Sequence, residues 1–384
     1  MSNYPGVSIV GLGQIPVQKR NPATLRQMGV EAVRWAMHDA GVDTVDAVFV
    51  GNMLADELQG QKHIAALIAS EAGLRGVEAL QVRAATATGA AALRMAYFAV
   101  ASGSANVAVA LGVEKMSDGD PVPALAKALD AETEVPTGAT LLSQNAHIMQ
   151  TYMDTYDVPV EAFTNFALNA HNNARTNPNA LFQNKTVTAE DINASRVIVP
   201  PMRLYDAAPI CDGAAAVVLA RTDEAKKISP HAVRVLGSSV ATDWFALEDR
   251  ANPLDLYAVQ RATWQALGDA NMTLKDIDFF EAHDAFTIMT CLALEAIGFT
   301  ERGQGWRMAA ENKIGLDGEL PLCTFGGLKA RGHPIGASAI YQTCEIALQL
   351  TGRAGPNQVK NAECALLLSI GGVASTVISH VFAV

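Results

Sequence analysis

The stretch Gly326-Gly327-Leu328-Lys329-Ala330-Arg331-Gly332-His333-Pro334-Ile335-Gly336 places one histidine between a glycine and a proline in a glycine-rich loop. Glycines let the backbone approach a ligand closely. The helix that follows offers its N-terminus, where anions bind and pKa values shift. That helix is predicted from Gly336-Ala337-Ser338 to about Leu350, with Gly352 as its stop and a strand at Ala365–Ile370 beyond. The same arrangement occurs earlier in the chain. Ala87-Thr88-Gly89 opens an apolar helix to about Ala101, Gly103 stops it, and Val107–Leu111 reads as a strand. Both helices are apolar nearly all round, a pattern that predicts burial on every side.

The repetition extends outward. Val7-Ser8-Ile9-Val10 reads as a strand, residues 24–40 as a helix stopped by Gly41, and Asp46–Val50 as a strand leading into Gly51-Asn52-Met53. Val233–Leu236, a helix over 255–269 and a strand over Ile277–Ala282 repeat that order. Strands alternating with helices predict an α/β chain with a mixed sheet covered by helices. Residues 1–115, with about 200–225, make one half and 226–384 the other; 116–199 is an insertion. Within it 117–140 reads as loop and 141–175 as helical. It serves either as a lid that shapes a substrate site or as a plain dimer-contact subdomain.

Four stretches carry candidate chemistry. His333 in the loop above is the first. Glu281-Ala282-His283-Asp284-Ala285-Phe286 ends a predicted strand, the edge where α/β sheets bind ligands, and a neutral His283 there can donate to an oxyanion. Ser369-Ile370-Gly371-Gly372 follows the last long strand, so Gly372 can offer its N–H to an oxyanion, although a tight turn needs the same residues. Val82–Ala91 runs from a strand into the first buried helix, with Thr86 where a nucleophile elbow holds its reactive atom; a simple N-cap is the plainer reading of this hydroxyl.

The formal net charge of −11 argues against a broad nucleic-acid surface, which needs clustered cations. Half of the chain is hydrophobic, enough for a large core. The five cysteines include no C-x-x-C pair, which predicts a reducing compartment, no zinc site and no other metal. No signal peptide or membrane span is read, so the cytoplasm is expected.

These stretches, with Gly51-Asn52-Met53, Gly112-Val113-Glu114-Lys115-Met116 and Asp206–Ala215, resemble the thiolase superfamily, in its archaeal and sterol-carrier-protein types, along essentially the whole chain. The resemblance implies a duplicated α/β thiolase fold with two helices buried between stacked sheets, and a homodimer or homotetramer. It implies acyl-CoA substrates, with coenzyme A as substrate or product and no covalently bound cofactor. It also allows a small zinc-ribbon/OB-fold partner protein.

In the family the elbow residue is a cysteine that takes the acyl group. The histidine matching His333 activates it, the histidine matching His283 helps hold the enolate, and a second cysteine moves the α-proton. Here those cysteine positions carry Thr86, Ser369 and Ala285. An alcohol is not ionised near neutral pH as a thiol is. The expectations are therefore a thiolase-like acyltransferase with a non-standard site, a retro-aldol lyase on a CoA thioester, or a catalytically silent CoA-binding subunit. Arg203, Lys329 and Arg331 are candidate contacts for CoA. Cys323 is either a substitute thiol or a packed core residue.

Overall fold

The computed structural model describes residues 6–384. The first half contributes strands β1 (Val7–Gln14), β2 (Ala47–Gly51), β3 (Glu78–Val82) and β4 (Val107–Lys115), with helices α1 (Leu25–Ala40), α2 (Ala55–Leu58), α3 (Ile64–Ala72) and α4 (Thr88–Ala101). The insertion follows, with α5 (Pro121–Ala126), α6 (Leu141–Tyr156), α7 (Thr164–Ala174), α8 (Ala189–Asn193) and the short strands β5 (Val197–Val199) and β6 (Met202–Arg203). Strand β7 (Asp212–Arg221) and helix α9 (Thr222–Ile228) close the first half. The second half holds β8 (Val233–Thr242), α10 (Tyr257–Ala270), β9 (Phe279–Glu281), α11 (Thr287–Ile297), α12 (Gly305–Ala310), α13 (Ile335–Leu350), β10 (Cys364–Gly371) and β11 (Thr376–Ala383).

The main sheet runs β3-β2-β4-β7-β1-β8-β11-β10-β9. Its pairing shows the duplication. In the first half β2 is parallel to β4, β4 antiparallel to β7, and β7 antiparallel to β1. In the second half β9 is parallel to β10, β10 antiparallel to β11, and β11 antiparallel to β8. The halves join where β1 meets β8, from Val7–Val235 to Ile9–Val233. In the second half a single parallel bridge, Phe280 to Leu322, occupies the place that β3 has in the first.

Side-chain alternation along the strands sorts the interior into layers. Ala108 and Ala110 of β4, and Ala365 and Leu367 of β10, face one shared core with Leu93 of α4 and Ile340 of α13. Val109 and Leu111 turn instead to the outer core under α1. Leu366 and Leu368 turn to the outer core that the second half shares with the insertion. Thus α4 and α13 lie between the two halves.

Their N-termini nearly touch. A Cβ at Gly89 would stand 2.7 Å from the carbonyl oxygen of Gly336, so glycine is what permits the approach. Helix α13 is buried almost throughout. Helix α4 is not buried all round as its composition predicts. Met95 and Phe98 are 39% and 43% exposed because they share a surface hollow with Glu78 of the edge strand β3.

Boundaries differ from expectation where backbone contacts set them. The predicted strand Ile277–Ala282 shrinks to Phe279–Glu281, matching its three paired residues on β10. The predicted loop 117–140 contains α5, capped by Asp120 with Pro121 at its first position. The helical region 141–175 is two helices, α6 ending at left-handed Asp157 before Pro159.

We predict that Gly89→Ala destabilises the protein by about 1–2 kcal/mol, since overpacking against backbone outweighs the gain in helix propensity. Denaturant unfolding of the two proteins measures it; an Ala variant as stable as the parent would disprove the contact.

Candidate active site

The elbow is built by backbone geometry. Strand β3 ends at Val82, and Ala85 then takes a left-handed conformation (φ 47°), sparsely allowed for a residue with a Cβ. The Thr88 hydroxyl closes this turn. It donates to the Ala85 carbonyl at 2.6 Å and accepts from the Ala84 N–H at 2.9 Å. Helix α4 begins at Thr88 without a side-chain cap, so Thr86 is not an N-cap. Its hydroxyl instead donates to the carbonyl oxygen of Ile370, 2.6 Å away on β10.

His283 and His333 reach the same place through Asp284. The Asp284 carboxylate accepts from the Leu328 N–H at 2.6 Å and fastens the π-helical turn Gly327–Arg331 to the strand end that bears His283. Gly332 then turns the chain at φ 112° and ψ 161°, a conformation open to glycine, and delivers His333. The two imidazoles stand with ring centroids 5.3 Å apart and planes 88° to each other. His333 Nδ1 lies 2.8 Å from the Ser338 hydroxyl on the first turn of α13, which leaves Nε2 without a partner inside the protein. His283 Nδ1 is buried and has no hydrogen-bond partner.

Thr86, His283, His333 and Gly372 line one cavity of about 420 Å³. Burial removes the water that would solvate an imidazolium. It holds His283 down at about 3 and His333 well below the ordinary histidine value, where His283 and Arg331 act in the same direction. Both rings are therefore neutral bases or donors at neutral pH. None of the five cysteines lines the cavity. Cys323 is buried with its Sγ 3.6 Å from the Ala282 carbonyl, a packed residue.

Lys329 and Arg331 are corrected as contacts for CoA phosphates. Both are buried and bonded within the chain. Lys329 Nζ donates to the Asp206 carbonyl at 2.7 Å. Arg331 pairs with Glu345 at 3.0 Å and lies over the Tyr341 ring. Their charges hold the histidine loop rather than a ligand. Arg203 is paired with Glu161 at 2.6 Å and bonded to Asn193, and it does not line the cavity.

Sequence reasoning missed three residues here: Ser338, Asn145 and Glu114. Ser338 was visible only as part of a helix start. Asn145, on α6, lines the cavity, and its buried carbonyl oxygen has no partner. Glu114 is wholly buried and raised to about 7 by that burial. It accepts from the N–H groups of Met53, Leu54 and Gly336, at 2.9, 3.1 and 3.1 Å. Among the described residues no group of side chains is arranged to hold a metal ion, and no helix is long and apolar enough to cross a membrane.

Family comparison matches residues 7–223 to the thiolase N-terminal domain and residues 239–384 to the thiolase C-terminal domain-like family. An acetyl-CoA acetyltransferase of Methanothermobacter thermautotrophicus is 40% identical over 379 residues, covering 98% of this chain and 99% of that protein. Sterol carrier protein 2 of Gallus gallus is 28% identical, covering 95% of this chain and 69% of that one. Among solved structures, an Ltp2-ChsH2(DUF35) aldolase superposes with a TM-score of 0.86 at 22% identity, covering 98% of this chain and 97% of that one.

The burial of both imidazoles predicts that neither titrates between pH 8 and 6. Nitrogen-15 NMR of histidine-labelled protein reads this directly. A ring protonating near the unperturbed value of about 6.5 would contradict it.

Proposed function

This chain belongs to the thiolase family, and on that premise we propose that it makes or breaks a carbon–carbon bond next to a CoA thioester. One observation carries the reading: a hydroxyl and two neutral imidazoles share one buried cavity at the start of α4. His333, through Nε2, takes or returns the proton. His283 donates to the oxyanion of the enolate, with the N–H groups of the Gly371-Gly372 turn beside it. Thr86 acts on the acyl carbon or hydrogen-bonds the thioester. The insertion, which supplies Asn145, Leu141 and Leu142 to the cavity wall, acts as the lid.

A second reading, a retro-aldol lyase on a CoA thioester, is favoured by the Thr86 hydroxyl. It is held by the Ile370 carbonyl, and no thiol stands near it. Such a reaction needs a base for the substrate hydroxyl and a site for the enolate, and no acyl-enzyme. The structurally similar protein described as an aldolase is consistent with this chemistry.

We also propose that the chain works as a homodimer through the β3 edge. Leu80 is 49% exposed on β3, an edge strand of the sheet, and Met95 and Phe98 of α4 are exposed as well. Leu80→Glu is expected to turn a two-chain particle into a monomer in analytical ultracentrifugation. A parent protein that already sediments as a monomer would sink the idea.

Thr86→Cys is expected to create, or raise by about tenfold or more, acylation by acetyl-CoA, seen as one acetyl group on the new cysteine by mass spectrometry. The helix N-terminus and His333 favour a thiolate there, whereas the native alcohol needs a base in the transition state. A folded variant that binds CoA and forms no adduct would show that His333 does not activate this position, and the lyase reading would then lead.

A further inference from the structure

We propose, resting on the reading that the cavity takes CoA thioesters, that the acyl group bound there is uncharged, apolar and larger than acetyl. The walls carry the argument. The deep side is formed by Met116, Met289, Ile335 and Ile370, each about 2% exposed. The mouth is formed by Val122 and Ile210, which are exposed, so the apolar lining continues out to solvent. These residues come from both halves of the fold and from the insertion.

Polar atoms are few and mostly committed. Apart from Thr86, His283 and His333, the lining has two polar side chains, Thr140 and Asn145, and no charged one among the described residues. The Thr140 hydroxyl accepts from the Ser143 N–H at 3.0 Å and caps α6. The Asn145 amide donates to the Leu141 carbonyl at 2.7 Å, and its own carbonyl oxygen remains without a partner. An acyl chain ending in a carboxylate would be buried in this lining with no cation to meet it. That loss of hydration has no compensation.

Size points the same way. A cavity of about 420 Å³ holds roughly fourteen water-sized volumes. The carbons and oxygen of an acetyl group fill about three of them. The thiol end of the pantetheine arm takes part of the remainder, and the apolar floor beside the imidazoles is left for further methylenes. The two methionines on that floor, Met116 and Met289, adapt to different chain shapes.

Calorimetric titration of the full chain with acetyl-, butyryl-, hexanoyl-, octanoyl- and succinyl-CoA tests this. Affinity should rise about fourfold per added methylene until the cavity is full, the ratio set by transferring one CH₂ from water. Succinyl-CoA should bind at least about tenfold more weakly than butyryl-CoA, because its buried carboxylate lacks a counter-ion. Met289→Trp should abolish the gain in affinity from acetyl- to octanoyl-CoA. Leu142→Trp fills the cavity from the insertion side and serves where the first variant does not fold. Affinity that is flat or falls with length, or succinyl-CoA binding as tightly as butyryl-CoA, overturns the inference and leaves the CoA-thioester reading standing. Absence of binding by every thioester, and by CoA itself, overturns that reading instead.

Discussion

The carboxylate of Glu114 is the knot on which the geometry of the site depends. It sits at the end of β4 and accepts from the backbone that follows β2, from the Asn52 amide at 2.8 Å, and from the first turn of α13. Three segments more than fifty residues apart in sequence converge on two oxygen atoms. The first two belong to one half of the fold and the third to the other. Removing the carboxylate would leave several buried donors without acceptors, each costing about 1–3 kcal/mol. Because α13 carries Ser338, and Ser338 holds His333, this one group sets where the histidine stands relative to Thr86.

A second ring of charge fixes the loop from the opposite side. Asp284 clamps the turn Gly327–Arg331, Lys329 reaches the carbonyl of Asp206, and Arg331 lies buried against Glu345. Buried ion pairs add little net stability compared with apolar packing, yet breaking one leaves an uncompensated charge in the core. Their effect here is to give the loop one geometry. The imidazoles are themselves buried in a cavity whose walls are mostly apolar, so both stay neutral. Apolar surroundings also strengthen a hydrogen bond offered to a developing oxyanion.

The elbow keeps a built scaffold although none of the five cysteines lines its cavity. The left-handed Ala85, the start of α4 beneath Thr86 and the convergent histidines are all present. What stands at the elbow is a hydroxyl bonded to the Ile370 carbonyl. The five thiols are buried elsewhere, and burial pushes each of them above its ordinary value. The turn is closed by Thr88 rather than by Thr86, which is why a single substitution at Thr86 probes the chemistry with little disturbance of the fold.

The sequence by itself determined the duplication, the two central helices and the loops that bear His283, His333 and Gly372. Each of these is a local pattern: apolar periodicity, a glycine where a helix stops, a histidine at the end of a strand. The tertiary structure alone decided what the charged residues do. Lys329 and Arg331 look like anion contacts in a glycine-rich loop, but their partners, Asp206 and Glu345, come from other elements. It also decided that Asn145 enters the cavity and that Glu114 joins the halves. The physical reason is common to all four. Whether a polar group meets a ligand or another part of the chain depends on which distant segments fold against it, and no local period or spacing records that.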